Sequence, residues 1–236
     1  MSIAENIARI RAQMESAAIK ASRDPREIKL CAATKMNDAD AVRQAIAAGV
    51  DYCGENRVQE LVQKSKENAY EGAPVHFIGH LQTNKVKQVV GHVDLIQSVD
   101  RLNLLEAVQK EAARQEIIQD ILLEVNIGNE ESKSGFQAGE VLPLLEHIAD
   151  FPNIRVKGLM AIPPISQNSG DNLKFFQEMY DLSVDIREKK YDNVSVDYLS
   201  MGMSDDYEDA IACGSTMIRV GTAIFGARDY AKLHQN

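Results

Sequence analysis

The stretch Ile28-Lys29-Leu30-Cys31-Ala32-Ala33-Thr34-Lys35 decides how the rest of the chain is read. It is a β-type run that ends on a basic residue, and its two faces differ. Side chains alternate along a strand, so Lys35 shares a face with Cys31 and Ala33, while Ile28, Leu30, Ala32 and Thr34 form the other, more apolar face. The small residues suit the crowded interior of a barrel, which would aim Lys35 inward at the C-terminal mouth. A second run near the other end, Ile218-Arg219-Val220-Gly221-Thr222, follows Met217 and sets Met217, Arg219 and Gly221 on one face. If the strands between close a parallel barrel, first and last are neighbours. An amine then faces a phosphate-sized nest across one mouth.

The intervening sequence supports closure. Ser2-Ile3-Ala4-Glu5 matches a capping box, and Ile3, Ile7, Ile10, Met14 and Ala17 recur at helical spacing, so an amphipathic helix opens the chain and stops before Asp24-Pro25. Beyond it, β-type runs fall at 28–34, 50–53, 75–78, 94–97, 120–127, 154–160, 194–200 and 216–220, each followed by a segment with helical character. This alternation predicts an α/β fold: a single-domain (β/α)8 TIM barrel over 1–236 with an extra N-terminal helix. An open doubly wound sheet is the structural rival. The loose stretch Ile165-Ser166-Gln167-Asn168-Ser169-Gly170-Asp171 reads as one surface loop, and Arg187-Glu188-Lys189-Lys190 as a helix C-terminus whose cations complement the dipole.

Composition narrows the function. A net charge of −9 and a pI near 5.1 repel polyanions, so nucleic acid and anionic membrane surfaces are not expected partners. Charges at Glu5, Arg9, Arg11, Glu15 and Lys20 interrupt the first helix, which is therefore no signal peptide, and no stretch is long enough to span a bilayer. Cys31, Cys53 and Cys213 are odd in number and lack metal-type spacing. A reduced, cytoplasmic setting is expected, with no metal site.

Several residues can carry chemistry. A desolvated lysine loses its proton near neutral pH and becomes a nucleophile able to form an imine, although a strand-end lysine such as Lys35 also fits simple solvation. An inward Arg219 needs a partner, either a structural carboxylate or a ligand's ring nitrogen. Gly221-Thr222 suits a phosphate or a plain turn. Ser200-Met201-Gly202-Met203-Ser204-Asp205-Asp206 adds a hydroxyl, a glycine and an expected N-cap at Ser204. With Asp205 and Asp206 in the expected first turn, a phosphate should sit nearer the last loop. Gly54-Glu55-Asn56 shapes the mouth or makes a turn and cap, His76 and His80 read as satisfied structural histidines, and Ser132-Lys133-Ser134-Gly135-Phe136 gates the mouth or forms a loop anchored by Phe136.

Together with His76-Phe77-Ile78-Gly79-His80-Leu81-Gln82-Thr83-Asn84-Lys85, Gly158-Leu159-Met160-Ala161-Ile162-Pro163 and Ala223-Ile224-Phe225-Gly226, these motifs resemble the pyridoxal phosphate homeostasis protein family from the opening helix to Ala231. That family consists of single-domain relatives of the alanine racemase barrel, of the fold-type III class that binds pyridoxal 5'-phosphate (PLP). The resemblance implies that Lys35 holds PLP as an aldimine and that Arg219 faces the pyridine nitrogen. It also implies that Ser200, Gly221 and Thr222 hold the phosphate, with Asn56 and Met160 around the cofactor. It implies a carrier that buffers PLP in vitamin B6 homeostasis and delivers it to apo forms of PLP-dependent enzymes, with no catalytic residue; a monomer is expected. A small PLP-dependent amino-acid racemase is the alternative, and a cofactor-free imine-forming aldolase a more remote one. The racemase relatives resemble this barrel but add a β-domain whose tyrosine acts as the opposing acid/base, and this chain ends soon after its last expected strand.

Overall fold

The computed structural model describes residues 1–130, 133–165 and 168–226. The expectations at Ser132, at Ser166-Gln167 and at the stretch ending on Ala231 lie outside the described residues. Helix α1 (Ile3–Lys20) begins with the expected box: the Glu5 N–H donates to Ser2 Oγ at 3.2 Å and the Ser2 N–H to Glu5 Oε2 at 2.7 Å. Eight parallel strands follow: β1 (Lys29–Ala33), β2 (Tyr52–Glu55), β3 (Val75–Phe77), β4 (Leu95–Val99), β5 (Gln119–Val125), β6 (Ile154–Ala161), β7 (Val194–Ser200) and β8 (Met217–Val220). They pair in chain order and close, with Lys29 opposite Met217 and Cys31 opposite Arg219 where β1 meets β8. The helices are α2 (Ala39–Ala47), α3 (Val58–Lys66), α4 (Leu102–Arg114), α5 (Ala138–Glu146), α6 (Leu173–Lys189), α7 (Tyr207–Ala212) and the single turn α8 (Thr222–Phe225). The closed barrel rules out the open sheet. Among the described residues no helix is long and apolar enough to cross a membrane.

Alternation along the strands sorts the side chains. Leu30, Ala32, Cys53, Ile121, Leu123, Leu199, Ile218 and Val220 belong to the large core between barrel and helices. Inside lie two smaller clusters, one around Cys31, Ile78 and Met217, the other around Leu95, Leu122 and Met160. The inward assignment of Cys31, Ala33 and Met217 therefore holds.

Three local expectations are corrected. No α-helix follows β3; the link to β4 is a 3-10 helix over Thr83–Gln88. β2 extends through Glu55, so Gly54 and Glu55 are strand residues. Gly54 points inward, where a Cβ would stand 2.8 Å from Cys31 Sγ. Ser204 is not the N-cap of α7: that position is Asp206, which makes no side-chain capping bond. Asp206 instead accepts from the Met203 N–H at 2.7 Å and from Asn172 Nδ2 at 2.9 Å. Asp205 and Asp206 thus precede the helix, and its first turn carries Glu208 and Asp209.

Gly158 marks the tightest strand contact. Its φ is +139°, and a Cβ there would stand 1.8 Å from the Tyr198 carbonyl oxygen, next to a register shift between β6 and β7. Gly158→Ala should therefore cost more than about 2 kcal/mol, read as a lower urea midpoint. An unchanged midpoint would contradict this packing.

Candidate functional site

The C-terminal ends of β1, β2, β6, β7 and β8 carry all the residues expected around one mouth. Lys35 opens the turn after β1 and is half-buried. Its carbonyl accepts from Asn37 Nδ2 at 3.0 Å, and Met36 beyond it adopts the left-handed conformation, φ 63°. Across the closure, Gly221 lies against β1: a Cβ on it would stand 3.3 Å from Ala33 Cβ and 3.4 Å from the Ala33 carbonyl oxygen. Thr222, the exposed first residue of α8, follows. The N–H groups that open a helical turn have no intrahelical acceptor and suit an anion.

Asn56 follows β2 directly. Its main chain comes so close to Gly79 that a Cβ there would lie 2.1 Å from the Asn56 carbonyl oxygen, which joins the loops after β2 and β3. Its side-chain Oδ1 is buried and finds no hydrogen-bond donor. Leaving such an oxygen unpaired costs about 1–3 kcal/mol unless a ligand supplies the donor. Met160 is fully buried inside the barrel, opposite Ser200 in the β6–β7 register.

Arg219 points inward and is 5% exposed. Its Nη1 donates to Ser200 Oγ at 2.6 Å and its Nη2 to the Ala161 carbonyl at 2.9 Å, and among the described residues no carboxylate bonds it directly. Burial works against its charge, while Cys31, Glu124 and Asp206 act in its favour at longer range. Ser200 passes the chain on, donating to Gln97 Oε1 at 2.7 Å, and Gln97 Nε2 donates to His76 Nδ1 at 2.9 Å. The single O–H of Ser200 is therefore spent inside the barrel. Donation from that hydroxyl to any ligand would require this bond to break.

His76 is the satisfied, buried histidine expected: burial holds it down to about 3, hence neutral, and it stacks on Tyr52 with ring centroids 4.2 Å apart. His80 is also partnered, but at the surface: its side chain is 55% exposed and its Nδ1 lies 3.2 Å from Asp100 Oδ2. Phe136 does anchor the loop after β5, bridging to Val125, and Lys133 Nζ there donates to the Pro163 carbonyl at 3.0 Å.

Sequence reading missed Gln97, Glu124 and Lys64. Glu124 faces inward from β5 beside Met160 in the register. Desolvation, aided by Asp100, pushes its carboxyl up to about 7, against the pull of Arg219 and Arg101. Period-two counting from Leu122 would have placed it inside. Among the described residues no His/Cys/Asp/Glu group could hold a metal ion.

An inward arginine on the last strand, a lysine beyond the first and a glycine-threonine ending between them are the features of a PLP-type barrel. The sequence model of the alanine racemase N-terminal domain matches residues 2–229. The chain is 40% identical over 230 residues to the pyridoxal phosphate homeostasis protein of Aquifex aeolicus, covering 98% of this chain and 100% of the relative. It is 41% identical to the protein of that name from Escherichia coli K12, covering 98% of each. The chain belongs to the pyridoxal phosphate homeostasis protein family, within the alanine racemase N-terminal domain class. The crystal structure of PipY from Synechococcus elongatus with PLP bound is 30% identical, with a TM-score of 0.81, and the match covers 95% of this chain and 100% of that one.

The Glu124 carboxyl has a measurable consequence. Its folded value near 7 lies above the unfolded value of about 4.3, so between the two the folded chain keeps a proton that the unfolded chain has released. Stability should fall as pH rises through this window. Glu124→Gln should flatten the slope, with no gain at pH 4 and a gain of up to about 3 kcal/mol above pH 7 in denaturant titrations. An equal difference at both pH values would place the Glu124 carboxylate in water.

Proposed function

We propose that this chain binds PLP through Lys35, buffers it, and hands it to apo forms of PLP-dependent enzymes. The observation that carries the reading is the contact of Gly221 with Ala33, which sets the glycine-threonine ending beside the strand that leads into Lys35. The residues fit the group. Arg219 is a buried donor not consumed by a bonded carboxylate, and the Asn56 amide oxygen still lacks a donor. The PLP bound in PipY and the homeostasis names of the relatives support the same reading.

When bound, the cofactor supplies an aldehyde that condenses with amines and a ring that withdraws electrons from the attached carbon. Lys35 would hold the group through its amine, which in its unprotonated form would add to the aldehyde carbon as the carbonyl oxygen left as water, with no oxidant or reductant needed. Gly221 and Thr222 hold the phosphate through backbone N–H groups and a hydroxyl. Met160 and Asn56 border the ring. Arg219 has N–H donors and no acceptor, so it favours a ring nitrogen without a proton. An unprotonated ring is a weaker electron sink, which favours storage over carbanion chemistry and counts against the racemase reading. A reducing, cytoplasmic setting, which the free thiols of Cys31, Cys53 and Cys213 suit, and a monomeric state are part of this proposal.

Borohydride reduction followed by peptide mass mapping tests the assignment. The wild-type protein should carry one reduced PLP adduct, on the peptide containing Lys35, and Lys35→Ala should lose it with unchanged far-UV dichroism. The loaded wild-type protein should also reactivate an apo PLP-dependent enzyme, without racemising amino acids beyond the rate of free PLP. An undiminished adduct in Lys35→Ala, or Lys35-dependent turnover of one amino acid, would overturn the reading.

A further inference from the structure

Helix α3 contains a lysine in an unusual place. Lys64 is 5% exposed, on a helix whose partner in sequence spacing, Glu60, would ordinarily make a surface pair with it. Its ammonium has three donors, and all three are used: Thr34 O at 2.8 Å, Glu55 Oε2 at 2.7 Å and Glu60 Oε2 at 3.1 Å. The acceptors lead to the turn that bears Lys35. Thr34, just before it, is held by its carbonyl to Lys64 and by its hydroxyl to Glu55 Oε2 at 2.9 Å. Met36, just after it, donates its N–H to Glu60 Oε2 at 2.7 Å. Glu55 also receives the Tyr70 hydroxyl at 3.0 Å, and its second oxygen accepts the Asn56 N–H at 3.0 Å.

We infer that Lys64, Glu60 and Glu55 are positioning residues that lock the backbone on both sides of Lys35, and at Asn56, into the conformation that captures the PLP aldehyde. This rests on the reading of Lys35 as the attachment residue. A buried ammonium with two carboxylates is a poor way to stabilise a helix on a barrel, since apolar residues of similar volume do as well or better. What it supplies is direction. The bonds end on the peptide groups flanking Lys35 and on Asn56, and they hold Met36 at a positive φ that a non-glycine residue adopts at a cost. Without the Glu60 acceptor the turn loses the bond that fixes Met36, and the amine samples positions away from the aldehyde. Capture slows while the phosphate and ring contacts, made from other strands, persist.

The experiment separates these two quantities. Pyridoxamine 5'-phosphate has the ring and phosphate but no aldehyde, so its affinity reads the cradle alone, whereas the rate at which PLP becomes borohydride-trappable on Lys35 reads the position of the amine. Glu60→Ala should slow capture about tenfold or more, with pyridoxamine phosphate affinity within about twofold of wild type. Glu60→Gln, which keeps an acceptor oxygen for Met36, should recover most of the rate. In the unliganded protein, hydrogen exchange at the Met36 amide should accelerate in Glu60→Ala and not in Glu60→Gln. Lys64→Met should resemble Glu60→Ala if it folds, as thermal unfolding will show; Glu60, with a side chain 20% exposed, is the milder site and decides the question. Capture at the wild-type rate in Glu60→Ala, or parallel loss of capture and pyridoxamine phosphate affinity, would overturn the inference and leave the PLP reading intact. Failure of wild-type protein to trap PLP on Lys35 would remove both.

Discussion

The pairing of β1 with β8 is the constraint on which everything else depends. It joins opposite ends of the chain in a fixed register, Lys29 with Met217 through Ala32 with Val220, so that Gly221 arrives against Ala33 and the turn bearing Lys35 stands at the same mouth. Parallel pairing alone would leave this junction open as two sheet edges. Closure satisfies both edges and, because each strand enters from the same end, brings every strand C-terminus to one face. The lysine, the arginine and the glycine-threonine ending become one site only through it.

Closure also creates an interior that must be filled, and here two small apolar clusters share it with polar groups in a defined order. Arg219, Ser200, Gln97 and His76 form a hydrogen-bonded chain whose only formal charge is the guanidinium. His76 stays neutral because burial opposes its protonation, and because its Nδ1 accepts from Gln97, any ring proton sits on Nε2. The arginine is thereby held by oxygens that do not cancel its charge, while Glu124, whose carboxyl burial pushes up, lies near without bonding it. A second polar group lies outside the barrel, where Glu60 and Lys64 of α3 and Glu55 at the end of β2 grip the turn after β1. The site is thus held from inside through Arg219 and from outside through the flanks of Lys35.

Much of this was legible because it depends on period and order. Strand alternation groups Cys31 and Ala33 with Lys35, and Met217 with Arg219, and the small residues of β1 suggest which face turns inward; the cap at Ser2 follows from a four-residue pattern. What escaped depends on partners distant in sequence. Glu60 and Lys64 carry the spacing of a solvated helical pair, and nothing local shows that β1 ends above them. The fate of the Ser200 hydroxyl depends on Gln97, whose strand reads in sequence only as a β-type run. Ser204 has the chemistry of an N-cap, yet Asp206 accepts the nearby Met203 N–H and the helix starts later.

A crystal structure of the protein soaked with PLP tests the central claim most directly. The account predicts continuous density from Lys35 Nζ to the cofactor, the phosphate within hydrogen-bond distance of Gly221 and Thr222, and a guanidinium nitrogen of Arg219 directed at the ring nitrogen. A cofactor bound away from this mouth, or one seated there with Lys35 unattached and its phosphate far from Gly221, would contradict it.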